Sequence, residues 1–327
     1  LKAVWYDRTG PAREVLTYGD LPTPQPGHGQ ALVRIHASGV NPSDVGLRGG
    51  AMGPMAYPRI VPNSDGAGVV EAVGPGVDAA WVGRRVWFYN GQRNGRAFGS
   101  AAEYIELDLD LLSPLPDAIS FAEGATLGIP CMTAHRALFL AGPVQGRTVL
   151  VTGGAGAVGH YAVQLARWAG ASVIATVSSE AKAARARSGG ADHVIDYRRE
   201  DVAARVREIT GGTGVDHIVD VDFGGNLKAS LGSLAMNGSL AYYATRGAPN
   251  PELSAGAAMR LNLSISGVYL PVSPHAARKR AQNDISRWIA AGDRQLSVAG
   301  RYPLADCAAA HEVVEAGGKI GTVVVGG

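Results

Sequence analysis

The strongest constraint on this chain is the run Val149-Leu-Val-Thr-Gly-Gly-Ala-Gly-Ala-Val-Gly159. An apolar strand breaks there into Gly154-x-Gly156-x-x-Gly159, with Gly153 also in the turn, and continues as a helix. Glycine at this spacing allows a tight turn, close approach of backbone N–H groups to a pyrophosphate, and close helix–strand packing. The free N–H groups and dipole at the helix start favour an anion there. The pattern is weak by itself in a chain with 45 glycines among 327 residues, so its context decides. That context is a second apolar strand, SVIATV, starting about 13 residues after Gly159, as a βαβ unit requires.

The same alternation runs from Gly146 to about Leu270. Strands are expected at 148–152, 172–177, 193–195, 217–221 and 239–243. Helices are expected at 158–169, 180–188, 201–209 and 227–234. Near-continuous apolar strands separated by helices predict a doubly wound, Rossmann-type α/β sheet, parallel and covered on both faces. The first 120 residues read differently, as short strands among breakers. Residues 31–37 alternate apolar and polar, 69–73 and 85–89 are short apolar runs, and 22–29 hold three prolines and two glycines. The tail from Pro274 holds two helices and a final apolar run, 322–325.

The end of the second strand reads the cofactor. An acid there would bond a ribose diol and repel a 2′-phosphate. Here Ser178 and Ser179 offer hydroxyls, while Lys182 and Arg185 offer cations, a set better suited to the phosphate of NADPH. Glu180 is the dissenting residue, an acid two positions beyond Ser178.

Thirty Lys and Arg against 28 Asp and Glu leave a net charge of +2, no footprint for nucleic acid. Two cysteines, Cys131 and Cys307, exclude a disulfide framework or a four-cysteine zinc site and fit a cytoplasmic setting. No apolar run approaches the ~20 residues of a membrane span, and the opening LKAVWYDRTG does not read as a secretory signal. No His-x-x-x-His, Tyr-x-x-x-Lys or Gly-x-Ser-x-Gly occurs. The expected chemistry is therefore one in which cofactor and substrate supply the reactivity, and the protein supplies position and hydrogen bonds. No strong general acid stands out, so the proton is expected from solvent.

Taken in order, several segments resemble the zinc-free quinone oxidoreductases (zeta-crystallin-like) of the medium-chain dehydrogenase/reductase superfamily. They are Gly39-Val-Asn-Pro-Ser-Asp44, Asn63-Ser-Asp-Gly-Ala-Gly-Val-Val70, Gly83-Arg-Arg-Val86, Gly99-Ser-Ala-Ala-Glu-Tyr104, Gly128-Ile-Pro-Cys-Met-Thr-Ala134, the glycine turn, and Ala191-Asp-His-Val-Ile-Asp-Tyr197. The resemblance implies a GroES-like catalytic domain of residues 1–124 with 271–327 returning to it, and an NADPH-binding domain of 125–270. It implies a cleft at their junction and a homodimer, for which 263–268 offers an edge strand. Asn41 and Ser64 stand where zinc-containing relatives carry a Cys and a His ligand, so no metal is expected.

By the same resemblance Asn41, Asp44 and Thr133 are the candidate catalytic residues at the nicotinamide end. Ala155, Gly156, Ala157 and Val158 lie on the pyrophosphate, and Ser178, Lys182 and Tyr197 around the 2′-phosphate. Tyr269 and Leu270 hold the carboxamide through their backbone. The implied activity is direct hydride transfer from NADPH to quinones or similar electron-poor acceptors. Two alternatives stay open: an enoyl or alkenal double-bond reductase, and a catalytically vestigial nucleotide-binding protein with a binding or structural role. Three positions depart from the family pattern: Gly46 in place of Tyr, Asn63 in place of Gly, and Thr322 in place of Lys.

Overall fold

The computed structural model describes residues 1–93 and 95–326. They form two compact units, Leu1–Pro130 with Leu296–Gly327, and Cys131–Gln295.

In the first unit the long strand Gln30–Val40 organises a seven-stranded sheet. One of its edges pairs antiparallel with Asp65–Val73. The other pairs with Tyr104–Asp108 over its first half and with Thr322–Val325 over its last residues. Irregularities in register at Leu32/Val33 and Ile35/Ala37 bend the strand enough to serve these partners. Its C-terminal half belongs to a core built from Val4, Val40, Val61, Val323 and Val325, closed by Cys307 and Val314 of the helix Cys307–Ala316. The strand Val298–Tyr302, which the sequence pattern does not announce, pairs parallel with Thr322–Val325. The end of the tail, from Val298, is thus built into this sheet.

The second unit is a six-stranded parallel sheet. Its strands in chain order are Thr148–Val151, Ser172–Val177, His193–Asp196, Val215–Asp220, Leu234–Tyr242 and Ser264–Gly267, hereafter first to sixth. Their spatial order is 3-2-1-4-5-6, the doubly wound order in which a dinucleotide crosses the switch point between strands one and four. The predicted elements are present with shifted ends. The helix Phe223–Ser233 starts four residues before the expected 227, because Asp222 caps it across Gly224 and Gly225. The boundary between the units also falls later than 271. The helix His275–Ala290 belongs to the second unit, where Trp288 meets Tyr161 edge-on at 5.9 Å and Asp284 accepts from His135 at 2.8 Å.

Candidate active site

The glycine turn sits at the switch point. Asp220, fully buried at the end of the fourth strand, accepts from the Thr152 hydroxyl at 3.0 Å, and that hydroxyl accepts from the Val221 N–H at 2.9 Å. Asn226 and Ser230 also donate to Asp220, so the carboxyl ends of the two central strands are tied together. The turn hangs from this knot. Gly153 takes φ +64° and donates its N–H to Thr176 Oγ1 at 3.1 Å. A Cβ on Gly159 would come within 2.3 Å of the Gly153 carbonyl oxygen, so the helix approaches the strand only because Gly159 lacks one. Gly156 caps the helix Ala157–Trp168. The N–H groups of Ala157, Val158 and Gly159 lie in the first turn, where an α-helix supplies its donors no intrahelical acceptor.

At the end of the second strand, buried Ser178 accepts from Lys182 Nζ at 2.9 Å, and Ser179 caps the helix Glu180–Ser188. At ~100° per residue, Lys182 and Arg185 share one helix face and Glu180 and Arg187 the other. The first face looks toward the glycine turn, since Arg185 Nε donates to the Ala155 carbonyl at 3.2 Å. Glu180 pairs with Arg187 at 2.8 Å and is 82% exposed, beside a surface cavity that Arg198 and Arg199 also line. The dissenting acid thus lines the same cavity as Ser178 and Ser179, with its charge answered by Arg187 and with Arg198 and Arg199 in the same wall. Tyr197 stands half-exposed after the third strand, tied by its N–H to the Val177 carbonyl. Arg198 and Arg199, two cations beside it, were not singled out from sequence.

Thr133 is buried in the helix Met132–Phe139. Tyr269 is half-exposed on the wall of a cavity of about 490 Å³, whereas the Leu270 side chain is buried beneath it.

In the first unit, Asn41 opens the helix Pro42–Gly49, and its backbone N–H donates to Asp44 at 2.8 Å. Its side-chain amide donates to Asp65 Oδ2 at 2.7 Å, and Asp65 also accepts from the Ile129 N–H at 2.8 Å. Asp44 in turn accepts from Ser64 Oγ and Arg93, both at 3.0 Å. Asn41, Asp44, Ser64, Asp65 and Arg93 are all buried. Burial, reinforced by the Asp44 charge, pushes the Asp65 carboxyl up from 3.8 to about 8 against the bonds from Asn41 and Ile129. Its Oδ1 has no partner among the described residues, and a Cβ on Gly128 would lie 2.2 Å from it. Asp65 is therefore a neutral acid at ordinary pH, holding Asn41 in place.

Asn63 keeps the backbone that glycine usually supplies at this turn, φ +71°. Its side chain adds bonds to Ser38 and His311 at 2.9 Å each. The positions of Asn41 and Ser64 thus present an amide and a hydroxyl already bonded to carboxyls, one of which carries the Arg93 guanidinium at 3.0 Å. That donor set does not fit zinc. Among the described residues no group of three or more His, Cys, Asp or Glu could hold a metal ion.

The sheet order and the turn define a dinucleotide-binding fold. Residues 27–117 match the alcohol dehydrogenase GroES-like domain, and residues 157–287 the zinc-binding dehydrogenase domain. The chain is 32% identical to the quinone oxidoreductase of Rattus norvegicus, over 94% of this chain and 92% of that one. It is 35% identical to a 2-haloacrylate reductase of a Burkholderia species, over 99% and 98%. A mycobacterial structure complexed with NADPH superposes with a TM-score of 0.86 at 35% identity, covering all of both chains. The chain belongs to the quinone oxidoreductase family of the medium-chain dehydrogenase/reductase superfamily and is an oxidoreductase.

Proposed function

We propose that this protein is a zinc-independent, NADPH-dependent reductase that delivers hydride to quinones or similar electron-poor small molecules. The observation that carries the cofactor reading is the division of the helix Glu180–Ser188. Its cations Lys182 and Arg185 share the face that reaches the glycine turn, while Glu180 is paired on the opposite face. The turn offers a pyrophosphate the N–H groups of Ala157, Val158 and Gly159, and Ser178, Lys182 and Tyr197 offer donors to a 2′-phosphate. NADPH, when bound, supplies the hydride.

The chain's own residues position and hold. Asn41, its amide oriented by Asp65, Asp44, which braces the same turn, and Thr133 are assigned to the nicotinamide end. The backbone at Tyr269 and Leu270 is assigned to the carboxamide. The proton that follows hydride comes from water. We also assign a cytoplasmic setting and a homodimer. The sixth strand, Ser264–Gly267, pairs on one edge only among the described residues and offers the dimer edge. No helix among the described residues is long and apolar enough to cross a membrane.

A double-bond reductase is the second reading. A Cβ at Gly46 would meet only Met52, at 3.4 Å, so the position leaves room that a tyrosine would fill. The Burkholderia relative is named for reduction of a substituted acrylate. Stopped-flow oxidation of NADPH by 1,4-benzoquinone and by an α,β-unsaturated aldehyde separates the two. An Asn41→Ala variant whose hydride-transfer rate at saturating NADPH equals wild type would remove Asn41 from the assignment.

A further inference from the structure

The cavity bounded by Tyr269 opens over the carboxyl ends of the fifth and sixth strands, with Tyr242, Tyr243, Thr245 and Val272 in its wall. Among the described residues one charged side chain lines it, Arg136 of the helix Met132–Phe139. Arg136 also lines a second cavity, of about 250 Å³, together with His135, Phe139 and Arg280. Among the described residues no Asp or Glu lines either space. Asp284, on the helix His275–Ala290 that packs against Met132–Phe139, is already taken by His135 at 2.8 Å, Arg280 at 3.5 Å and Arg287.

Arg136 thus has no hydrogen bond or ion pair among the described residues. Partial burial lowers its pKa from 12.5, and no acid raises it again. The guanidinium remains charged at any working pH, with five donors and no acceptor facing them. A half-buried cation with unused donors is a standing electrostatic demand for an anion.

The sheet order says which anion it is not. The glycine turn follows the first strand and Ser178 the second, whereas this cavity lies over the fifth and sixth. At ~4.8 Å per strand, the cavity stands ~10–15 Å from the turn and ~15–20 Å from Ser178. A dinucleotide with its pyrophosphate on the turn and its 2′-phosphate at Ser178 leaves Arg136 on the other half of the crevice, where the reacting ring and the acceptor belong. Thr133, three residues earlier, is on the same helix face.

We propose that this cavity is the acceptor subsite, and that its substrates include electron-poor double bonds conjugated to a carboxylate, which Arg136 holds through paired N–H···O bonds. This rests on the hydride-transfer reading above. In the reaction the β-carbon of the acceptor gains the hydride from NADPH, which is oxidised to NADP⁺. The C=C electron pair moves toward the carboxylate, and the α-carbon then takes a proton from water. Negative charge on the carboxylate grows along this path, so the guanidinium stabilises the transition state more than the bound acceptor. A neutral acceptor gains only the stabilisation of its developing charge and lacks the ion pair that holds a carboxylate before transfer.

The test compares acrylate with acrylamide as acceptors, and benzoate with benzamide as non-reducible ligands in calorimetry with the NADP⁺-bound protein. Wild type should bind benzoate at least about tenfold more tightly than benzamide, the factor a single charge-assisted pair confers. In Arg136→Gln this preference should vanish. The ratio of acrylate to acrylamide kcat/KM should fall at least about tenfold, and Arg136→Lys should recover part of it. The thermal midpoint of Arg136→Gln should match wild type, because no protein partner is orphaned. Absence of benzoate preference in wild type, or an unchanged acrylate ratio in Arg136→Gln, overturns the proposal. So does a rise in the NADPH Kd large enough to account for the loss, since Arg136 would then serve the cofactor. If wild type turns over no acceptor, the hydride-transfer reading fails, and the benzoate comparison still decides whether Arg136 forms an anion site.

Discussion

Replacing Asp65 by asparagine should leave the protein almost as stable at pH 5 and make it clearly more stable at pH 8.5. In the native state the Asp65 carboxyl titrates at about 8 rather than 3.8, chiefly because it is fully buried and close to Asp44. In the unfolded chain it titrates near ~3.9. Between these values the folded protein keeps a proton that the unfolded protein has released, so this group's contribution to stability falls as pH rises and levels off above about 8. At ~1.4 kcal/mol per pH unit the loss from pH 5 to 8 is at most ~4 kcal/mol. Asparagine keeps one oxygen for the donors on Asn41 and Ile129 and puts an NH2 where the protonated oxygen stood. It removes the pH-dependent part alone. Urea unfolding of both proteins at half-unit intervals from pH 5 to 9 reads the difference directly. If the two stability profiles run parallel, Asp65 is not held neutral, and the account of how Asn41 is oriented is wrong.

Gly159→Ala should abolish tight NADPH binding and lower Tm by several degrees, because its Cβ would force the helix off the Gly153 carbonyl, 2.3 Å away. Fluorescence titration and a thermal scan check both effects. Lys182→Ala should weaken NADPH about tenfold and leave NADH within a factor of about two, read by paired titrations. The His135 bond and the Arg287 pair hold the Asp284 carboxyl at about 2. Its contribution, present above pH 4 and lost as pH falls toward 2, is ~1–2 kcal/mol, and Asp284→Asn should flatten acid unfolding over that window.

Much of the nucleotide-binding unit was legible because its signals are local. Apolar runs such as SVIATV, glycines at fixed offsets and capping residues such as Ser179 and Asp201 act within a few positions of themselves. The strand Val298–Tyr302 was missed because a glycine breaks its pattern and the strand it pairs with, Thr322–Val325, lies about 20 residues on. The Asn41–Asp65 bond joins residues 24 apart through a strand pairing that no spacing encodes. The Glu180–Arg187 pair and the cavities that Arg136 lines depend on helix faces and on residues distant in sequence, which no local pattern encodes. Asn63, read as a departure, satisfies the same positive φ as the glycine it replaces.

The most direct measurement is a fluorescence titration of the purified protein with NADPH and with NADH, followed at once by addition of 1,4-benzoquinone. Tighter binding of NADPH, with prompt loss of its fluorescence when the quinone is added, is the predicted result. Preference for NADH would contradict the assignment of Ser178 and Lys182. Tight NADPH binding that no quinone, enal or acrylate discharges would contradict the central claim and leave a nucleotide-binding protein without hydride-transfer activity.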